Sequence, residues 1–439
     1  MNTSDRTSLD GLYDLVTGDE DARVCKDIPV EACNDQPWNF FTYLTANFLG
    51  KIADELASAK LILPWLLAAL GAPVVFTGFL VPIREAGVLV PQLIVAAAVR
   101  RLAIRKGVWL LGAALSAIAL FGMAVAAAFF TGVSAGWAIV LLLVVFSLAR
   151  GLCSVSAKDV LGKTVSKGRR GVLMGYSAAL AGIATLALGL YLKWFAAASA
   201  TVSILVMLLT VGAVLWVIAI FFFAAIRERP GATEGGGNAL AVALQSLASF
   251  KTDAALRQFV VARALLLSVA LAPPFYALLA QQQTQGELAG LGLMIIASGL
   301  ASSLSAPFWG KLGDRSSRLV IVIAAFAAGV LDIAVFAFIA LDSPWRVYPL
   351  THALLFLALT VFHSGVRLGR KVYLVDLATA QTRATYVAIS NTVIGIAMLI
   401  GGAIGILADV FAIHYVILGL GMLAMIAAWY SLRLPEVTR

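Results

Sequence analysis

Twelve apolar runs of 22 to 30 residues dominate the sequence, at about 39–68, 75–98, 108–131, 136–157, 171–193, 200–226, 256–280, 287–309, 319–340, 347–370, 384–407 and 411–432. A helix of roughly 20 predominantly apolar residues crosses the hydrocarbon core of a bilayer and satisfies its own peptide groups there. Runs of this length predict an all-α integral membrane protein with twelve transmembrane helices. A spanning β-barrel is excluded, because its strands alternate over segments of about ten residues. Only 13% of the chain is charged and 61% is apolar, against about 25% and 45–50% in soluble domains. A soluble enzyme and a disordered chain are excluded on the same grounds. Three cysteines, Cys25, Cys33 and Cys153, imply no disulfide scaffold. The first 36 residues are polar and acidic, which is not the pattern of a cleavable signal peptide.

The net charge of +9 lies mostly in loops, so it reads as a topology signal and not as a nucleic-acid surface. With the N-terminus placed inside, inner loops carry 21 basic residues and outer loops only Lys193 and Arg346. That asymmetry predicts a bacterial cytoplasmic (inner) membrane protein with both termini cytoplasmic. Residues 1–37 form an acidic tail in which Ser8 caps a predicted short helix with Leu9, Leu12, Tyr13 and Val16 on one face, stopped by Gly18. Residues 38–226 are read as a first six-helix bundle, 227–255 as a cytoplasmic linker, 256–433 as a second bundle and 434–439 as a cytoplasmic tail. A short surface helix is predicted at 239–250.

The two halves repeat at a spacing of about 212 residues: Phe48 with Phe259, Pro64 with Pro274, Arg150 with Arg367. Parallel six-helix repeats build one common transporter architecture. The segment Gly310-Lys311-Leu312-Gly313-Asp314-Arg315-Ser316-Ser317-Arg318 resembles the Gly-x-Leu-x-Asp-Arg-x-x-Arg signature of the major facilitator superfamily, and Arg150-Gly151 resembles an Arg-Gly element late in that family's fourth span. The first-half copy of the loop, Arg100 to Lys106, lacks the Gly and Asp, and span five lacks the Gly-Pro element of family antiporters. The resemblance implies two pseudo-symmetric six-helix bundles rocking about a central site lined by spans one, four, seven and ten. It also implies that Gly310, Asp314, Arg315 and Arg318 belong to an inside-closed latch.

Charges inside the spans supply the candidate site, since each costs about 2.5–3.5 kcal/mol at the bilayer centre and so requires a partner, water or a task. Span one carries Lys51, Asp54, Glu55 and Lys60; Lys51 lies three and four residues before the acids, on an adjoining face. Asp54 and Glu55 are the expected proton-coupling groups, with His363 as a third because imidazole titrates near neutrality. Lys51, Arg84, Glu85, Arg150, Arg367 and Tyr276 are the expected substrate-binding residues. Lys60 can snorkel to the surface, and Asp332 is expected to turn away from lipid without an assigned role. Pro273 and Pro274 predict a gate or bend in span seven, with Pro64 its counterpart in span one.

No phosphate-cradling loop, His-Glu-x-x-His or paired zinc-binding cysteine motif occurs. No enzyme activity and no cofactor is therefore expected. The reading is a monomeric secondary transporter in contact with membrane lipid. It would move a small organic solute, with an anionic or zwitterionic one permitted, by proton-coupled alternating access, export favoured slightly over uptake. An uptake symporter, a uniporter or an anion exchanger is the nearest alternative; a non-transporting assembly factor or sensor is the more distant one.

Overall fold

The structure is a computed structural model that describes residues 11–13, 16–17, 28, 30–90, 92–195, 201–231, 253–379 and 382–437. Ten of its helices are long and apolar enough to cross a membrane. Spans three to six are Lys106–Phe129, Gly132–Thr164, Lys167–Phe195 and Thr201–Ala224. Spans seven to ten are Ala254–Leu265 with Leu267–Gln283, then Leu288–Gly313, Ser317–Ala340 and Pro349–Leu377. Span eleven is Arg383–Gly401 continued by Ile404–Val410, and span twelve is Ile413–Ser431. The first two predicted spans complete the set in pieces: Gln36–Leu56 with Ile62–Ala69, and Val74–Leu89 with Gln92–Arg100.

The break in span one has a local cause. Pro64 has no N–H to donate, and its ring would crowd the carbonyl of Lys60 in a continuous helix. The chain instead loosens between Ala57 and Leu61, where the Leu63 amide reaches the Ser58 carbonyl at 3.0 Å. Span seven departs from the sequence expectation. Its helix runs through both Pro273 and Pro274, and the interruption falls at Leu266. Every residue from Leu267 to Gln281 is buried, so packing on all sides holds the helix where proline has removed hydrogen bonds.

Helix pairing repeats between the halves. Span one packs on five and six, three on four and six, and two on four; in the second half seven packs on eleven and twelve, nine on ten and twelve, and eight on ten. The halves meet through two equivalent crossings, span two on eleven and span five on eight. Small residues permit these crossings, as lipid-embedded helices need close backbone approach to gain packing energy. A Cβ on Gly78 would lie 2.6 Å from Gly405 Cα, and one on Gly292 would lie 2.6 Å from the Gly189 carbonyl oxygen.

Twelve crossings place the first and last spans' outer ends, Gln36 and Ser431, on one side, here termed the terminal side. The inter-half contacts concentrate on the far side. Asp409 accepts from the Val74 and Val75 amides at 2.6 and 2.9 Å, and Gln281 donates to the Trp65 carbonyl at 3.1 Å. On span five, Gly171, Gly175, Gly182 and Gly189 fall on one helical face; on span eight, Gly292, Gly299 and Gly310 do the same. Only the far ends, Gly189 and Gly292, touch across the crossing, whereas Cβ atoms on Gly171, Gly175, Gly182, Gly299 and Gly310 would meet nothing within 4 Å. The two stripes therefore diverge toward the terminal side, and the molecule is closed on the far side.

Part of the predicted tail helix is present at residues 11–13 and 16–17; Ser8, Leu9 and Gly18 lie outside the described residues. Tyr13 packs edge-on against Phe40 and accepts a hydrogen bond from Gln36 at 2.7 Å. Arg169 donates to the Thr17 carbonyl. On the same side Glu228 caps span three, accepting from the Arg105 and Lys106 amides and from Lys163 at 2.7–2.9 Å. Cys33 is disulfide-bonded, a feature that three cysteines without a framework spacing did not suggest. The helix expected at 239–250 lies outside the described residues.

Candidate functional site

The spans enclose a central cavity of about 520 Å³, within the roughly 300–1,000 Å³ typical of small-molecule sites. The broken stretch of span one forms one wall, which is where irregular backbone is tolerated at membrane depth. Asp54, Glu55 and Lys60 line it from span one, Arg84 and Glu85 from span two, and Arg150 from span four. The second half contributes Pro273 from span seven, Ser298 and Ser302 from span eight, and Phe356, Thr360, His363, Ser364 and Arg367 from span ten. The span-ten residues recur at helical spacing, so one face of that helix presents them together.

Asp54 organises the first-half wall. Arg150 donates to its Oδ2 through Nη2 at 2.8 Å and Nε at 3.2 Å, and Arg84 Nη2 lies 3.4 Å from its Oδ1. Each guanidinium also rests on an aromatic face, Arg150 on Trp216 at 4.4 Å and Arg84 on Phe146 at 5.1 Å. Planar guanidinium suits both contacts at once. Asp54 is thereby committed to a two-arginine hub. Among the described residues, no ion-pair partner lies within 4 Å of Glu55, Glu85, Lys60 or Arg367.

The structure gathers Asp54, Glu55, Arg84, Glu85, Arg150, His363, Arg367 and Pro273 at this cavity, eight residues that the sequence singled out. It does not bring Lys51 or Pro274 to the lining. Lys51 lies one helical turn before the acids, displaced toward the terminal side. Tyr276 is a correction as well. It is buried inside the second half, where its hydroxyl donates to Asp332 at 2.6 Å. Asp332 does turn away from lipid, and its Oδ2 has no hydrogen-bond partner.

Two cations escaped the sequence reading. Lys60, which could have snorkelled, lines the cavity because the break turns it inward. Arg263 is buried in span seven, donating to Ser390 Oγ at 2.6 Å and Asn391 Oδ1 at 3.0 Å, with Nε unpartnered. Its signal was an arginine well inside an apolar run.

The loop signature is tied within the second half. Arg318 pairs with Glu436 at 3.2 Å and donates to the Leu434 carbonyl at 3.0 Å, and Ser316 caps span nine through the Leu319 amide. Asp314 ends span eight beside Arg315. Among the described residues, no ion pair joins Gly310–Arg318 to the first half.

Comparison with known proteins bears directly on this arrangement. The family profile described as Major Facilitator Superfamily matches residues 259–439. The fold of the whole chain matches solved transporters: the nucleoside transporter NupG superposes with a TM-score of 0.69 at 15% identity, covering 90% of this chain and 98% of that one. Residues 259–439 thus match the superfamily profile, and the chain as a whole shares the fold of these transporters. Two further structural neighbours extend the likeness. The inward-open xylose transporter XylE from E. coli gives a TM-score of 0.63 at 14% identity over 90% of this chain and 95% of that one. A POT family transporter in complex with a thioalcohol-conjugated peptide gives 0.68 at 13% identity over 93% and 98%. No curated protein matches by sequence. The shared fold is that of a multi-pass helical membrane protein. Among the described residues, no group of three or more His, Cys, Asp or Glu could hold a metal ion.

Proposed function

We propose that this transporter moves a small organic solute across the cytoplasmic membrane by proton-coupled alternating access, with Glu55 as the proton carrier. The observation that carries the reading is the central cavity, where acids and bases of the first half and Arg367 of the second face one space closed on the far side. Asp54 is fixed by two arginines. Glu55, its neighbour in sequence, faces the cavity without an ion-pair partner among the described residues, and so can gain and lose a proton as access changes. His363 faces the same space from span ten. Arg84, Glu85, Arg150 and Arg367 are the proposed substrate-facing residues. Gly310, Asp314, Arg315, Arg318, Pro273 and Pro274 are assigned to the moving parts.

The basic bias of the terminal-side loops supports cytoplasmic termini, which makes the observed state open to the cytoplasm. On that assignment the motif loop is released here and would close against the first half in the opposite state. The repeated helix pairing supports reading bundles at about 38–226 and 256–433. The cavity weighs against a non-transporting sensor, for which a dry interior with every charge paired would be expected.

Metabolite levels inside cells and in the medium, compared with and without the gene, test the reading. A compound retained in the deletion strain identifies an exported solute, and one left in the medium identifies uptake. If pH-driven flux of that compound in proteoliposomes is unchanged by Glu55→Gln, the coupling assignment is wrong.

A further inference from the structure

The cavity walls are chemically unequal. All three lining carboxylates, Asp54, Glu55 and Glu85, come from spans one and two. The second-half wall holds Arg367, His363 and the hydroxyls of Ser298, Ser302, Thr360 and Ser364, and among the described residues no carboxylate. Asp54 is consumed by Arg84 and Arg150. The hub, two guanidiniums to one carboxylate, keeps one positive charge, so with Glu55, Glu85 and Lys60 the first-half wall is neutral overall, and Glu55 and Glu85 are its carboxylates outside any ion pair among the described residues. What remains opposite is Arg367, with the Ser364 hydroxyl one helical turn along the same face; the Thr360 hydroxyl donates to the Phe356 carbonyl at 2.8 Å.

We infer that the transported solute is a small zwitterion, its oxyanion seated on Arg367 and the Ser364 hydroxyl and its ammonium on Glu55 and Glu85. The inference rests on the transporter reading above and names the substrate class of that same site. An arginine fork pairs a carboxylate through two parallel hydrogen bonds, and a charge taken from water requires a partner of opposite sign. A zwitterion supplies both partners in one molecule and joins the two halves through it. Neutral ring-bearing solutes fit the lining less well. Among the described residues of the lining, Phe356 is the single Phe, and there is no Asn, Gln, Trp or Tyr. Flat rings are usually held by stacking on aromatic faces and by hydrogen bonds to their edges, which this wall does not supply.

The test uses the full chain in proteoliposomes, with the polar metabolite extract of bacterial cells as the external probe. A pH gradient of either sign is imposed and the lumen is read by mass spectrometry against protein-free liposomes. The expected result is enrichment of species carrying both an ammonium and a carboxylate or other oxyanion. That enrichment should fall by roughly thirtyfold or more in Arg367→Gln and in Glu85→Gln, the loss expected when one partner of a desolvated charge pair is removed. Arg367→Lys, which keeps the charge without the fork, should recover part of it, and unchanged melting temperatures confirm that the variants are folded. Enrichment of sugars, nucleosides or amine-free anions overturns the inference and leaves the transporter reading intact. So does zwitterion uptake that is insensitive to both Gln variants. No enrichment of any species by the wild type overturns the transporter reading, and the substrate class with it.

Discussion

The carboxylate of Asp409, near the far end of span eleven, caps the first turn of span two by accepting from the amide of Val74 at 2.6 Å, and from that of Val75 at 2.9 Å. The first amides of a helix have no partner within it, and the positive end of the helix dipole favours an anion there. This cap joins the two halves, so it favours the state that is closed on the far side. Removing a cap costs about 0.5–2 kcal/mol. Asp409→Ala should therefore shift the balance toward far-side opening by about 2- to 30-fold. Gln281, buried beneath that seal, reports it: in a cysteine-free background, Gln281→Cys should react faster with an impermeant maleimide added from the far side once Asp409 is Ala. An equal labelling rate would mean that the cap does not set the equilibrium.

The glycine stripes on spans five and eight predict the opposite effect. A side chain on Gly175 meets nothing within 4 Å in this state, and a non-glycine residue in a helix interior gains up to about 1 kcal/mol in propensity. Gly175→Leu should leave the melting temperature equal or slightly raised. It should nonetheless abolish transport, because the stripes must close on the terminal side for access to alternate. Gly189→Leu differs, since its Cβ alone would lie 2.9 Å from the Gly292 carbonyl oxygen. That change should instead disturb the far-side closure. Transport by Gly175→Leu at the wild-type rate would show that the two stripes never approach.

Asp54 and Glu55 are adjacent in sequence, yet their substitutions should separate stability from coupling. Asp54→Asn strands Arg84 and Arg150, which the carboxylate now bridges. Loss of one partner from a fully buried pair costs about 3–5 kcal/mol. The side chains here are 18–22% exposed to the cavity, so about 1–2 kcal/mol is the better expectation once water screening is allowed for. Glu55→Gln should leave the melting temperature nearly unchanged and remove the response of transport to a pH gradient. If both variants melt alike and transport alike, the division of roles is wrong.

The fold was legible because its signal is carried by composition over whole spans, and twelve apolar runs leave few alternatives. Much of the cavity was legible for a related reason: a charge inside a span is expensive, so each one marked a position with a task. Lys60 and Tyr276 show where this logic stops. Lys60 turns inward only because the chain loosens ahead of Pro64, and run lengths carry no record of that break. Tyr276 follows a proline pair in a span expected to line the site, but its hydroxyl is taken by Asp332 within the bundle. Which face of a uniformly apolar helix turns inward is decided by packing partners distant in sequence.

That same Tyr276–Asp332 contact yields a thermodynamic prediction. Asp332 is fully buried, and its single hydrogen bond comes from the tyrosine hydroxyl at 2.6 Å. Removing one partner of such a pair exposes the full desolvation cost of the other, about 1–3 kcal/mol or more for an ionisable group. Tyr276→Phe should lower stability by that amount. Asp332→Leu keeps the branched shape of the side chain in a tight site, where a Cβ added to Gly421 would lie 2.6 Å from Asp332 Cβ. Combining it with Tyr276→Phe removes both polar groups, and the double variant should melt at or above the wild-type temperature even though Tyr276→Phe alone is destabilised. If the two effects simply add, the hydroxyl and the carboxylate are not energetically coupled, and Asp332 takes its stability from another source.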